Sequence, residues 1–259
     1  MRVLLAQMEA ASDPNTGAAD AAELLDEETD LAVFPELHLT GYDPDRAEET
    51  ALALDSAPLA SLREAAARTS TAVVMGFAER REAGVANSLA LIDRDGDLTA
   101  IYRKTHLFGA EAKAFEPGDE LVVTELAGRR VGPLICFDVE FPEPARSLAA
   151  AGAEVLITAS ANMEPYFDDH LLACRARALD NRRPHLYVNC VGASGGHRFV
   201  GGTRFVAPDG RVVSSAEDGR DLLRVELDDD ATTDPDVDYL PQVRRDLRVT
   251  ESQNTGATR

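Results

Sequence analysis

Short, nearly continuous apolar runs alternate along this chain with segments whose apolar residues return at helical spacing, and turn residues separate the two. Continuous runs read as buried strands, and spacing of three to four residues reads as amphipathic helix. Arg2–Met8 is thus a strand, Asp13-Pro14-Asn15 a turn, and Thr16–Glu28 a helix. Leu31–Pro35 is a second strand. Ser56–Arg68 is helical, with Leu59, Leu62 and Ala66 on one face, and Ala72–Ala78 returns as a strand. This opening is a β-α-β rhythm.

The rhythm then changes. Asn87–Asp93 and Leu98–Arg103 flank Arg94-Asp95-Gly96-Asp97, while Leu121–Leu126 and Arg130–Ile135 flank Ala127-Gly128. Both pairs read as hairpins. Alternation resumes with a helix over Pro142–Ala151, a strand over Val155–Ala159, a helix over Phe167–Asn181 and a strand over Leu186–Val191. Phe199–Ala207 and Arg211–Ser214 form a further hairpin around Pro208-Asp209-Gly210, and Leu222–Leu227 is the last strand. So many hairpins do not suit a purely parallel sheet. An α/β protein with mixed sheets and outer helices fits better. No Gly/Pro/Ser-rich linker precedes Asp228, which predicts one domain over residues 1–259, with 228–259 a polar C-terminal tail.

Composition narrows the partners. The 259 residues carry 46 Asp+Glu against 26 Lys+Arg, a formal net charge of −20. Such a chain repels nucleic acid and anionic lipid, so neither is expected as a partner. No apolar run approaches the roughly 18 residues of a spanning helix, and Glu9 follows the apolar start too closely for a signal peptide. Cys136, Cys174 and Cys190 form an odd set without CxxC spacing, which argues against a disulfide framework and for a reducing cytoplasm. The acid excess reads either as a salt-adapted surface, whose carboxylates repel one another unless screened, or as an ordinary acidic enzyme. Only Lys104 and Lys113 are lysines, so each invites a reason.

Three segments set a reactive side chain at the end of an apolar strand, where α/β proteins build their sites. In Val33-Phe34-Pro35-Glu36-Leu37-His38, Glu36 follows a buried run, and partial desolvation would raise its pKa toward that of a general base. Taken alone, such a carboxylate more often caps the following turn. In Ile101-Tyr102-Arg103-Lys104-Thr105-His106, a lysine stands where the chain otherwise uses arginine. A compact ammonium suits one developing oxyanion better than a planar fork does, although a lysine after a strand is usually a surface residue. In Val131–Glu143 an apolar strand delivers Cys136 into a turn, and Pro142 opens a helix. A thiol near helix-terminal N–H groups and a lysine is expected as thiolate. Packing as a small core hydrophobe is the commoner fate of cysteine, and Cys174 and Cys190 are read that way.

Together these segments resemble the nitrilase superfamily of carbon–nitrogen hydrolases, over nearly the whole chain. The resemblance rests on Gln7 closing the first strand, Phe-Pro-Glu at 34–36, Tyr-Arg-Lys-Thr-His-Leu-Phe at 102–108 and Phe115-Glu116-Pro117-Gly118. Cys-Phe-Asp-Val-Glu-Phe-Pro-Glu at 136–143 and Gly201-Gly202 complete it. It implies a Glu–Lys–Cys triad of Glu36, Lys104 and Cys136, with Glu111, six residues before Pro117, as a second glutamate positioning the lysine and substrate. Phe137 stands where many relatives carry tyrosine; its backbone N–H is the group that matters there. Tyr42, Phe137, Ala161 and Asn162 are expected around the substrate.

The segment around Cys136, with Arg146 and Ser160-Ala161-Asn162-Met163 after it, looks most like the amidase branch. That implies hydrolysis of small aliphatic or short-chain carboxamides to carboxylic acid and ammonia through an acyl-thioester, with no cofactor and no metal. A nitrilase, an omega-amidase or a carbamoylase of the same superfamily is the nearest alternative, and a non-catalytic member binding a small ligand is the rival from another class. The implied fold is a four-layer α-β-β-α sandwich. The implied assembly is a homodimer paired through the helices after Pro142 and Tyr166, with the tail crossing onto the partner; Leu148, Leu171 and Leu172 could equally be monomer core. Two other chemistries have weaker support. His38 and His106 have no distinctive spacing to Cys136, and Asp168-Asp169-His170 with Glu164 is better explained by capping at a helix start than by a metal.

Overall fold

The computed structural model describes residues 1–228, 238–244 and 246–248. Its first part runs β1 (Arg2–Gln7), α1 (Pro14–Glu23), β2 (Leu31–Val33), α2 (Ala47–Thr50), α3 (Ala57–Thr69), β3 (Ala72–Arg81), β4 (Gly84–Ile92) and β5 (Leu98–Arg103). Next come α4 (Glu111–Ala114), β6 (Thr124–Leu126), β7 (Arg129–Ile135), α5 (Pro142–Ala150), β8 (Val155–Ser160), α6 (Phe167–Asn181) and β9 (His185–Asn189). The remaining strands are β10 (Val191–Ser194), β11 (His197–Val200), β12 (Arg204–Val206), β13 (Val212–Ser215) and β14 (Asp221–Glu226).

Two six-stranded sheets share one plan. The first has the order β14-β1-β2-β3-β4-β5 and the second β13-β12-β9-β8-β7-β6. In each, three central strands are parallel and the flanks antiparallel. Side-chain alternation then decides the layers, because a strand sends successive residues to opposite faces. Leu5 and Val74 of the first sheet meet Ile135, Ile157 and Val188 of the second in one buried cluster. Their neighbours Leu4, Ala6, Val73 and Met75 pack instead on Ala18 and Ala21 of α1 and Leu59 and Leu62 of α3. On the far side Leu134 and Leu156 pack on Leu148 of α5 and Cys174 of α6. The result is helix, sheet, sheet, helix.

Several boundaries differ from the sequence reading. The helix expected over 16–28 begins at Pro14, because Asp13 accepts hydrogen bonds from the N–H groups of Asn15 and Thr16 at 3.0 and 3.1 Å and caps it. It ends at Glu23, and Asp26 caps a turn through Glu28 N and Thr29 Oγ1. The run expected as one strand over 199–207 is two. Gly201 and Gly202 take φ of +62° and +79°, which turns the chain between β11, paired with β10, and β12 in the second sheet. The strand expected over 121–126 is paired only from Thr124, and that expected over 186–191 divides at Cys190, between β9 and β10.

Leu148 is core, whereas Leu172 is 68% exposed. Of the expected tail, 229–237, 245 and 249–259 lie outside the described residues. Its described part rests on its own chain: Arg182 sits over the Tyr239 ring at 4.6 Å, and Arg183 pairs with Asp238 at 3.6 Å. No helix among the described residues is long and apolar enough to cross a membrane.

Candidate active site

The strand ends of both sheets converge on one buried cluster. β2 runs out into residues 34–36, and Gly76 of β3 allows that loop to lie against the sheet. A Cβ at Gly76 would stand 2.2 Å from the Pro35 carbonyl oxygen. Glu36 is thereby delivered fully buried. Its Oε1 accepts from Lys104 Nζ and from Asn87 Nδ2, both at 2.7 Å, and its Oε2 accepts from the backbone N–H of Ala161 at 2.7 Å.

Lys104 follows β5 and is anchored through its own N–H to the Asn87 carbonyl at 2.8 Å. Its ammonium bridges Glu36 and Glu111, the second at 2.8 Å. Glu111 opens α4; it accepts from Tyr42 Oη at 2.7 Å and, through Oε2, from the Phe108 N–H at 2.8 Å. All three charged side chains are sealed from solvent.

Buried charges of this kind shift one another. Burial raises the Glu36 carboxyl above its ordinary value, the Glu111 charge adds to that, and Lys104 pulls the other way. Burial alone would lower Lys104, but the attraction of the two carboxylates outweighs it and holds the ammonium well above the usual lysine range. Burial and the Glu111 and Glu36 charges likewise push the Tyr42 phenol upward, which keeps it a donor.

Cys136 comes off the end of β7 with a φ of +44°, a conformation that costs a non-glycine residue about 1–3 kcal/mol. One side chain pins the turn. Asp138 Oδ2 accepts from the Ile135 N–H at 3.0 Å and Tyr102 Oη at 2.7 Å, while Oδ1 accepts from Thr105 Oγ1 at 2.8 Å and the His106 N–H at 2.9 Å. Asp138 thus ties the cysteine turn to the segment that carries Lys104. His106 Nδ1 also meets Asp138 Oδ1 at 2.9 Å, which raises the imidazole above its ordinary pKa, and its ring stacks on Phe141 at 4.1 Å.

Cys136 is buried, 7% exposed as a residue, and lines a small cleft together with Tyr42, Phe137, Ala161 and Asn162. The expected thiolate is corrected here. Burial pushes the Cys136 thiol up, Glu36 adds to the rise, and Lys104 and the Ser160 hydroxyl offset it only in part. The sulfur lies at the start of a short 3-10 turn, Cys136–Glu140, before α5 begins, so no long helix points its N–H groups at it. It rests as the thiol.

Each expected site residue is therefore accounted for. Glu36, Lys104 and Glu111 share one hydrogen-bonded cluster, and Cys136 lies in their field. Tyr42, Phe137, Ala161 and Asn162 line the cleft, although Ala161 matters as much through its N–H to Glu36. Asn162 is fixed by Asn189, whose Oδ1 accepts its N–H at 2.7 Å. The sequence reading assigned no role to Asn87 or Asp138; Asp138 lies inside the quoted 136–143 segment, but its partners are far along the chain. Cys190 is buried core as expected, with Sγ 3.8 Å from the Glu36 carbonyl oxygen.

His38 does not reach the sulfur. It is buried against Phe34 without a hydrogen-bond partner, and burial lowers it to about 4. Asp168 and Asp169 stand exposed in the first turn of α6, where acids favour the helix dipole as expected, although the N-cap is Tyr166 and makes no side-chain capping hydrogen bond. His170 turns inward to Tyr187 Oη at 2.9 Å. Among the described residues no group of three or more His, Cys, Asp or Glu side chains is arranged to hold a metal.

Comparison with known proteins agrees with this geometry. The family model for carbon-nitrogen hydrolase matches residues 2–235. The chain belongs to the carbon–nitrogen hydrolase family. An (R)-stereoselective amidase from Pseudomonas sp is 42% identical over 223 residues, covering 85% of this chain and 77% of the relative. A 2-oxoglutaramate amidase from Bacillus subtilis is 32% identical, covering 84% and 86%. Among solved structures, a glutamate-to-glutamine mutant of the amidase from Nesterenkonia sp. AN1 superposes with a TM-score of 0.81 at 31% identity, covering 95% of this chain and 94% of that one. In that structure the acetamide moiety of fluoroacetamide is covalently added at the active-site cysteine. The two mixed sheets with outer helices match the fold of that amidase.

Proposed function

We propose that this carbon–nitrogen hydrolase is a cysteine-dependent amidase that cleaves small carboxamides to carboxylic acid and ammonia. The observation that carries the reading is the sealed cluster of Glu36, Lys104 and Glu111 behind a cysteine thiol that opens onto a small cleft.

Glu36 is the base. As Cys136 Sγ attacks the amide carbonyl carbon, the thiol proton passes to the Glu36 carboxylate, so no standing thiolate is required. Burial helps this transfer by making Glu36 a stronger base than an exposed glutamate. The Lys104 ammonium and the Phe137 N–H are assigned to the oxygen that becomes negative; one such donor is worth about a hundred- to a thousand-fold. The tetrahedral intermediate then breaks its C–N bond, Glu36 returns its proton to the departing nitrogen, and ammonia leaves a thioester on Cys136. Water, giving a proton to Glu36, attacks the thioester carbonyl. Collapse releases the carboxylic acid, and the proton on Glu36 restores the thiol. Glu111 and Tyr42 hold Lys104 in place throughout.

The same proposal includes a cytoplasmic homodimer. Leu172 and Leu179 of α6 stand exposed on the helix that the family resemblance assigns to pairing. Sedimentation showing monomer alone at micromolar concentration would remove that part. The activity is tested by intact-mass measurement during turnover of an amide panel: an acyl adduct on Cys136, absent from Cys136→Ala, with ammonia released, is the expected result. No adduct and no ammonia from any amide would overturn the reading.

A further inference from the structure

The cleft above Cys136 is largely aromatic, with one exception that the mechanism does not use. Phe108 meets Phe137 edge-on at 5.3 Å and Tyr166 at 5.5 Å, and all three rings line the cleft. Among its lining residues Glu140 is the sole carboxylate. Its side chain is 32% exposed, with Oε1 3.3 Å from Nε2 of the buried His170. Tyr187 Oη, which donates to Ser160 Oγ at 3.1 Å, stands 2.9 Å from Nδ1 of the same ring. The cation next to this segment, Arg177, is directed elsewhere. Its guanidinium donates to the carbonyl oxygens of Val139 and Glu140 at 3.0 and 2.8 Å and lies 3.5 Å from Asp180.

A carboxylate among aromatic ring faces attracts an ammonium group. The rings contribute cation–π attraction of roughly 0.5–2 kcal/mol, and the carboxylate adds a charge-assisted hydrogen bond. The net charge of −20 draws cations toward the protein in the same sense. A neutral aliphatic acyl group has no use for Glu140, and burying that carboxylate under a methyl group would be unfavourable.

We infer that Glu140 is a specificity residue and that the cleft takes short amino-acid amides, the protonated amine resting between Glu140 and the aromatic rings while the carbonyl carbon lies at Cys136 Sγ. This inference rests on the amidase reading and adds the class of acyl group. The small volume confines the chain between amine and carbonyl to a few atoms.

The decisive pair is 3-aminopropanamide and butyramide, which match in length and shape and differ by an ammonium for a methyl. With kcat/KM read from ammonia release at pH 7, 3-aminopropanamide is expected to lead by about tenfold or more, a gap of about 1.4 kcal/mol. In Glu140→Gln the lead should fall at least several-fold, and Glu140→Asp should retain part of it. Equal rates, or butyramide ahead, in the wild-type enzyme overturn the ammonium site while leaving the amidase reading standing. Ammonia from neither compound, with no adduct on Cys136 from any amide, overturns the amidase reading instead. Should Glu140→Gln not fold, propylammonium and 1-propanol are compared as inhibitors of wild-type butyramide turnover. Stronger inhibition by the ammonium is expected, and equal inhibition overturns the site.

Discussion

The charged cluster and the cleft touch at Cys136 but are built on opposite terms. In the cluster, every oxygen of Glu36 and Glu111 has a named donor at 2.7–2.8 Å, and solvent is excluded. In the cleft, rings lean edge to face and part of the wall stays open. Hydrogen bonds between buried ions demand fixed positions, because an unpaired buried charge is costly; aromatic walls tolerate adjustment. The cluster is thus the part that resists change, and the cleft the part that accommodates it.

Removing the atom shared by both regions has the largest expected effect. Cys136→Ala should cut turnover by on the order of 10⁴-fold or more and abolish the acyl adduct in intact-mass spectra. Lys104→Met attacks the cluster alone. It should lower kcat/KM by about a hundred- to a thousand-fold and destabilise the fold by about 3–5 kcal/mol in denaturant titrations, since two buried carboxylates lose their counter-ion. A variant as stable as the parent would contradict the account of the cluster.

Acidity sharpens the contrast further. Because Glu36 must be ionised to act and its carboxyl is raised by burial, kcat/KM should fall about tenfold per pH unit on an acid limb lying above 4.5. No alkaline rise from a titrating thiol should follow, because the Cys136 proton leaves only during attack. For stability the sign is opposite. The folded chain holds the Glu36 proton more tightly than the unfolded chain, so this group favours folding at low pH and that contribution is lost as pH climbs through the folded pKa.

Asp138→Ala tests the join between the regions. Stripping the acceptor from Tyr102, Thr105 and the Ile135 N–H should cost about 3 kcal/mol and reduce kcat more than it raises KM. Phe137→Tyr, a change in the cleft wall, is expected to alter rates only about twofold, because its backbone N–H is the group assigned to the oxyanion. A large loss there would mean that the wall is as constrained as the cluster.

These two regions also differ in how far the amino-acid sequence discloses them. Glu36, Lys104 and Cys136 stood out because each follows an apolar run that reads as a strand, but only the family resemblance joined them into a triad. Glu111 was readable only through family resemblance, since nothing local distinguishes an acid at the start of a four-residue helix. Asp138 was hidden for a different reason: its partners at 102–106 are over thirty residues away, and periodicity carries no information about such pairs. Ala161 was expected as a wall residue, yet its N–H to Glu36 belongs to the backbone, which no side-chain pattern reports. The break at Gly201 and Gly202 escaped for the converse reason, because the apolar residues on either side read as one uninterrupted strand.

Glu36, Lys104 and Glu111 stand behind the sulfur and outside the set of residues that lines the opening. Inherited substitutions of the Phe108, Phe137 and Tyr166 side chains in front, unlike one of Tyr42, therefore leave the bond-breaking reagents undisturbed. A lineage with this layout can exchange one diet of amides for another by altering a handful of surface-facing side chains, while the deeper apparatus passes unchanged from ancestor to descendant.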